Sequence, residues 1–107
     1  MKEYIQIFTT TGRREDAEEI AQVLMQKRLA GCVQVIANLS STCWWKGKIE
    51  KTEECLCLIK SEKTLYEQVE KVIKEIHPYE IPEITAVPIV AGSKEYFRWL
   101  DQELRAR

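Results

Sequence analysis

The sequence lacks the features that mark several large classes of protein. Only four glycines occur among its 107 residues, and they are too far apart to form a phosphate-binding loop. No apolar run approaches the roughly 18 to 20 residues that a membrane-spanning helix needs. No apolar segment follows a basic start at the N-terminus. We therefore expect no signal peptide, no membrane partner and a cytoplasmic location.

An excess of positive charge is also absent. Sixteen Lys and Arg stand against 17 Asp and Glu, for a formal net charge of −1. A general nucleic-acid binder needs a basic surface. The apolar segment Cys55–Leu58 also offers no aromatic ring on which a base could stack. We expect no nucleic-acid partner.

Residue spacings that would indicate catalysis are missing as well. The four cysteines contain no C-x-x-C pair, which argues against a zinc ribbon or a thioredoxin-type site. Cys55 and Cys57 share one face of a predicted strand and are expected in the core, as free cysteines usually are. By spacing alone, Glu80 and Glu83 are ordinary surface carboxylates. The sequence therefore predicts a protein that is not an enzyme.

Hydrophobic periodicity predicts the element order β-α-β-β-α-β-α. Ser61 or Thr64 is expected to cap the second helix, and Ser93 the third. This order is typical of an α+β fold, the ferredoxin-like βαββαβ sandwich, with an added C-terminal helix. The predicted elements are strand Tyr4–Thr9, helix Arg13–Arg28, strands Cys32–Cys43 and Ile49–Lys60, helix Lys63–Ile76, strand Ile84–Val90, and a helix after Ser93 that buries Tyr96, Phe97, Leu100 and Leu104.

The predicted hairpin is extended, because its strands are about twice the usual length of roughly 5 to 6 residues. Gly47 in the segment Trp44–Lys48 supplies the positive φ that a tight turn requires. Leu56 and Leu58 point away from the helices and are too apolar to be left in water. We therefore predict that copies of the chain cover this face in a homo-oligomer.

His77, the single histidine, allows two interpretations. Its ring caps the last carbonyls of the preceding helix, or it acts as a metal ligand or proton carrier. The aromatic residues allow two as well: they anchor a subunit interface, which we favour, or they line a ligand site. These aromatic residues are Trp44, Trp45, Tyr79, Tyr96 and Trp99.

Several segments resemble one known family. The block His77-Pro78-Tyr79-Glu80-Ile81-Pro82-Glu83 is similar to the signature of the CutA divalent-cation tolerance family. Leu29–Val33, Trp45–Ile49 and Ile59–Ser61 match further motifs of that family in the same order. The resemblance implies one CutA-like domain over residues 1–107, assembled as a homotrimer. It also implies binding of Cu(II) or another divalent cation, which is not required for folding.

The resemblance also implies functional residues. His77 matches the motif histidine implicated in copper binding in some members. Cys32 matches the motif cysteine after the first helix, and Glu54 lies where an acidic residue often follows the hairpin, so we expect these three residues as metal ligands. Some members have a cysteine near the end of the first strand or a second histidine before the motif, whereas this chain has Phe8–Thr10 and Ile76. The alternative is a PII-like signalling or scaffold trimer that binds a small anionic ligand in its intersubunit clefts. Those clefts would be lined by Lys60, Trp45, Tyr79, Glu80 and Tyr96.

Overall fold

Four strands and three helices follow one another along the chain in the predicted order. A computed structural model describes residues 2–104. The elements are β1 (Tyr4–Thr11), α1 (Arg14–Gln26), β2 (Cys32–Trp45), β3 (Lys48–Glu62), a 3-10 turn (Lys63–Leu65), α2 (Tyr66–Ile76), β4 (Thr85–Pro88) and α3 (Lys94–Glu103).

The strands form one antiparallel sheet in the order β2-β3-β1-β4. Strand β4 lies at an edge, where Pro88 is tolerated because it has no N–H to donate to a second neighbour. It is shorter than the predicted strand, because Ile84 and Val90 lie outside it. The α+β architecture is confirmed.

The core lies between the sheet and the pair α1 and α2. Alternate residues of β1 and β3 point toward these helices, so Ile7 and Ile59 are fully buried and face each other in the register. Cys55 and Cys57 are buried in the same cluster, as predicted. The other face contains Leu56 and Leu58, which are only partly buried, and Ile36, which is 48% exposed.

Helix α3 packs against one end of that second face. The ring of Tyr4 stacks on Phe97 with 4.8 Å between centroids. Leu100 is fully buried beside Gly31, where an added Cβ would overlap the leucine side chain. Ser93 caps the helix as predicted, because its Oγ accepts a hydrogen bond from the Tyr96 N–H at 3.1 Å.

Three predicted local details are wrong. Neither Ser61 nor Thr64 caps α2: Ser61 donates to the Leu29 carbonyl at 2.7 Å, and Thr64 donates to Glu62. Helix α1 ends at Gln26, before the predicted Arg28, because Arg28 takes a left-handed φ of 57° that no helix can continue. Tyr96 was expected to be buried but is 39% exposed.

The hairpin of β2 and β3 extends well beyond the helices. Its turn places Lys46 and Gly47 at φ values of 52° and 82°, the pair of positive angles that matches the twist of the strands. A bulge interrupts the register between Ile36 and Leu39, and Asn38 within it has φ 64°. The tip is solvated: Trp44 is 71% exposed. The hairpin therefore presents aromatic side chains far from the main core.

Candidate functional site

His77 ends α2 and directs its ring toward β1. Pro78 follows, so the chain must leave the helix at this point. His77 is 7% exposed, and its ring Nε2 lies 2.6 Å from the Thr10 carbonyl oxygen. Its Nδ1 accepts a hydrogen bond from the Tyr79 N–H at 3.1 Å. Because a carbonyl can only accept, Nε2 must donate, and the imidazole is neutral with both nitrogens engaged.

These contacts bear differently on the two interpretations of His77, as a helix cap and as a metal ligand. The interpretation of the ring as a cap for the last helical carbonyls is wrong, because the ring binds β1 and its own loop. Only the backbone N–H of His77 closes the helix, by donating to the Ile73 carbonyl at 2.8 Å. A metal ion could take a ring nitrogen only after one of the two ring hydrogen bonds had broken.

Tyr79 joins this loop to the hairpin. Its hydroxyl donates to Glu54 Oε2 at 2.8 Å, and its ring lies 4.7 Å from the His77 ring. Burial, together with the Glu54 carboxylate, raises the pKa of Tyr79 to about 12. The phenol is therefore protonated at neutral pH and remains a donor. Gly12 lies below it, and an added Cβ there would come within 3.0 Å of the hydroxyl.

Glu54 is a carboxylate that is nearly removed from solvent, with 9% of its surface exposed. Its Oε2 accepts from Tyr79, but its Oε1 has no donor within residues 2–104. No Lys or Arg in that range forms an ion pair with it. A cation that reaches Glu54 would gain a charge-assisted contact with this carboxylate.

Glu54 lies in an open cleft of about 570 Å³ between the hairpin tip and the loop 78–83. Four carboxylates and three aromatic side chains contribute to its lining. Lys46 lies beside it, with Nζ 3.8 Å from Glu80 Oε1 and 5.5 Å from the centre of the Trp45 ring. The lining residues are Thr10, Ser41, Cys43, Trp44, Trp45, Glu50, Thr52, Glu54, Tyr79, Glu80, Ile81 and Glu83.

Cys32 lies far from this cleft. It begins β2 and faces Lys60, which is six positions from Glu54 along β3. At about 3.3 Å per residue, that places Cys32 roughly 20 Å from Glu54. One chain therefore brings Glu54 and His77 into the same region, joined through Tyr79, but does not bring Cys32 to them.

The residues predicted to bind an anionic ligand are divided in the same way. Trp45, Tyr79 and Glu80 line the cleft, whereas Lys60 and Tyr96 lie near Cys32. Lys60 donates to Gln34 Oε1 at 2.9 Å. Burial, and to a smaller degree the nearby Cys32, raises the pKa of Tyr96. Within one chain these five residues form two separate groups.

Sequence reasoning missed part of the cleft. Glu50 pairs with Cys43 across the hairpin, and both line the cleft. Glu80 and Glu83, expected as ordinary surface residues, line it as well. A signal was present in the strand alternation, since Glu50 and Glu54 fall on one face of β3. The contribution of the loop 78–83 required the tertiary structure.

The described chain contains no ready-made ion site. No three His, Cys, Asp or Glu side chains between residues 2 and 104 lie close enough together to hold a metal ion. Over the same span, none of the helices has the length and apolar character needed to cross a membrane.

Comparison with known proteins places this geometry in a family. The family described as "CutA1 divalent ion tolerance protein" matches residues 5–103. The chain belongs to this family. It is 37% identical over 94 residues to the divalent-cation tolerance protein CutA of Thermus thermophilus, covering 88% of this chain and 91% of that protein.

Relatives of the CutA1 family also occur among eukaryotic proteins and solved structures. Mouse protein CutA is 38% identical over 95 residues, which are 89% of this chain. The chain spans about half the length of the mouse and human relatives. The structure titled the periplasmic divalent cation tolerance protein CutA from Archaeoglobus fulgidus has a TM-score of 0.90 and 36% identity, and covers 94% of this chain and 97% of its own.

Proposed function

We propose that the chain binds a divalent cation, with copper preferred, and acts as a homotrimer in tolerance to such ions. Its membership of the divalent ion tolerance family supports the general role. The observation that carries the binding site is Glu54, a largely buried carboxylate in an acidic cleft, which forms no ion pair with a described Lys or Arg. On this view the protein is a binding protein and not an enzyme.

The cleft offers both hard and softer donors to such an ion. Glu54, Glu50 and Glu83 supply carboxylate oxygens, and Cys43 supplies a thiol opposite Glu50. Among the divalent first-row metal ions, copper generally binds a given set of oxygen and sulfur donors most strongly. This order supports the preference for copper. Because no three such donors between residues 2 and 104 lie close enough together to hold an ion, water or a second copy must complete the coordination.

The proposed trimer rests on the second face of the sheet. Phe8, Leu56 and Leu58 are only partly covered there, and Ile36 is half exposed. Apolar surface of this kind is normally covered by a partner. The strand order β2-β3-β1-β4 supports the ferredoxin-like subunit expected from the element order. A cytoplasmic location is part of the proposal, and cell fractionation tests it.

Calorimetric titration with Cu(II) and Mn(II) tests the cation site. We expect Glu54→Gln to weaken binding by about tenfold or more, because the buried charge is lost. Glu53→Gln is the matched control, since it removes the same charge from the adjacent, exposed residue of β3. Equal effects of the two substitutions, or no binding by the native protein, would refute the site.

The PII-like alternative has less support. The cleft is lined by Glu50, Glu54, Glu80 and Glu83, and this concentration of negative charge opposes a small anion. Lys60, the cation expected to hold that anion, lies outside the cleft and already donates to Gln34. No comparison with known proteins supports a PII-like role.

A further inference from the structure

The segment before β1 meets helix α3 beside the last residue of β3. The Lys2 ammonium forms an ion pair with Asp101 of α3 and lies 3.6 Å from Glu62 Oε1. We propose that Lys2 is a charged strap that keeps α3 docked on the sheet, so that α3 opens by itself when this charge is removed or screened. This inference goes beyond the proposed function, because Lys2 lies outside residues 5–103 that match the family and does not line the cleft.

Glu62 makes this strap depend on charge. Only 3% of its surface is exposed, and its Oε1 is buried without a hydrogen-bond donor among the described residues. Its Oε2 accepts a hydrogen bond from the Thr64 hydroxyl at 2.6 Å. Within residues 2–104, Lys2 is the only Lys or Arg that forms an ion pair with this carboxylate. Removal of Lys2 therefore leaves a buried charge without its counter-charge, which is strongly destabilising.

The buried carboxylate distinguishes this contact from an ordinary surface ion pair. The side chains of Lys2 and Asp101 are 41% and 37% exposed, and a pair of that kind contributes little to stability by itself. Glu62 is shielded from solvent, so water cannot easily replace the ammonium at its Oε1. The hydrogen bond to Asp101 raises the pKa of Lys2 against a smaller effect of desolvation, and the charge of Glu62 adds to the rise. The strap is therefore charged at neutral pH.

Helix α3 is an element that can open without the rest of the chain. It has ten residues, and a helix of this length is not stable in water without packing. Its apolar contacts with the sheet include the Phe97 ring on Tyr4 and the Leu100 side chain against Gly31. Because these contacts and the strap lie within one chain, they need no exposed surface and persist when another copy covers the rest of the face.

Hydrogen exchange of backbone amides tests the strap. Lys2→Met keeps most of the side chain and removes its charge. We expect the amides of α3 to exchange about tenfold faster or more in this variant, while those of β3 near Ile59 change little, because α3 opens locally. Equal acceleration of α3 and β3 would show global destabilisation and would overturn the proposal.

Lys63→Met is the matched control for this change. Lys63 is adjacent to Glu62 in the sequence, but its ammonium pairs with the exposed Glu3 at 3.5 Å. Its removal should leave exchange in α3 within about twofold of the native rate, as expected for a surface ion pair. If the two lysine substitutions accelerate α3 equally, the assignment to Lys2 is wrong.

A second substitution separates the charge of Lys2 from its packing. Adding Glu62→Gln to Lys2→Met removes the uncompensated buried charge, so exchange in α3 should return to within about threefold of the native rate. Lys2→Arg, which keeps the charge, should exchange like the native protein. A double variant that opens as readily as Lys2→Met would contradict the role of Glu62, and with it the strap.

Salt provides a test on the native protein. At about 1 M ionic strength the Debye length is about 3 Å, so the exposed contact between Lys2 and Asp101 is screened. Exchange in α3 should then become severalfold faster than at low salt, whereas the Lys2→Met variant should respond little. Equal responses of the two proteins to salt would overturn the dependence of α3 on this charge.

Discussion

Tyr79 is the residue through which the loop after α2 is attached to the hairpin. Its hydroxyl binds Glu54, and its backbone N–H binds His77. Tyr79→Phe removes the only donor to the nearly buried Glu54 carboxylate among the described residues. We expect the free energy of unfolding to fall by about 1 to 3 kcal/mol in urea titrations.

Tyr96→Phe serves as the control for this loss. Tyr96 is exposed to a similar degree, 39% against 37% for Tyr79, and its hydroxyl has no hydrogen-bond partner in the described chain. Its removal should change the free energy of unfolding little. Equal losses in the two variants would show that the Tyr79–Glu54 bond contributes nothing to stability.

The raised pKa of Tyr79 predicts an alkaline dependence of stability. Burial, together with the Glu54 carboxylate, raises this pKa to about 12 in the folded protein from its ordinary value of 10.0. A raised folded pKa means that the tyrosine contributes its full stabilisation below pH 10 and loses it as pH rises toward 12. The difference in unfolding free energy between native protein and Tyr79→Phe should therefore shrink over this range.

Other groups with raised pKa values, among them Tyr96 and Cys57, titrate in the same region and must be separated from Tyr79. Burial raises the pKa of Cys57 to about 11 from 9.0, so its stabilisation is lost over an overlapping pH range. This loss occurs in both proteins and cancels in the difference between them. A difference that stays constant from pH 9 to pH 12 would contradict the role assigned to Tyr79.

At the scale of elements, the bulge in β2 depends on one side chain. Asn38 has φ 64°, which asparagine tolerates and β-branched residues do not. Asn38→Val should lower the free energy of unfolding by about 1 to 2 kcal/mol, whereas Asn38→Gly should be close to neutral. Ser40→Val, at an exposed ordinary strand position, is the control and should cost little.

Thermal and urea unfolding check this prediction. If Asn38→Val is no less stable than Ser40→Val, the left-handed conformation is not required in solution.

The helices and strands could be predicted where hydrophobic periodicity and turn-forming residues determine them. The spacing of Ile20 and Leu24 predicts α1, and Gly47 predicts the turn of the hairpin. The position of Arg28 beyond the helix and the donation from Ser61 to Leu29 were not predictable in this way. Both depend on contacts between segments that lie far apart in the sequence.

For the whole molecule, the proposed trimer predicts a measurable mass. Light scattering should give three times the chain mass for the native protein. Leu58→Lys places a charge on the partly covered face of the sheet and should shift the mass toward that of one chain. Gln22→Lys, on the exposed side of α1, should leave the mass unchanged. A native mass equal to one chain would refute the trimer.

Part of the candidate site was predictable from the sequence and part was not. The resemblance pointed to Glu54, His77 and Tyr79, and the structure brings these three together. Their hydrogen bonds could not be predicted, because the Thr10 carbonyl that engages His77 is distant in sequence. The separation of Cys32 from Glu54 follows from the strand register, which composition does not determine.

The cleft joins two segments that are otherwise only weakly connected, the hairpin tip at Trp45 and the loop at Tyr79. The tip buries little surface, so little free energy opposes its local opening. Its backbone amides should therefore exchange hydrogen with solvent much faster than those of the core. A ligand held between the two walls must leave before the tip can open. Amide exchange at the tip should therefore slow by the factor one plus the ratio of free ligand to Kd. Hydrogen exchange at a few hairpin amides would thus report ligand affinity without any change in the average fold.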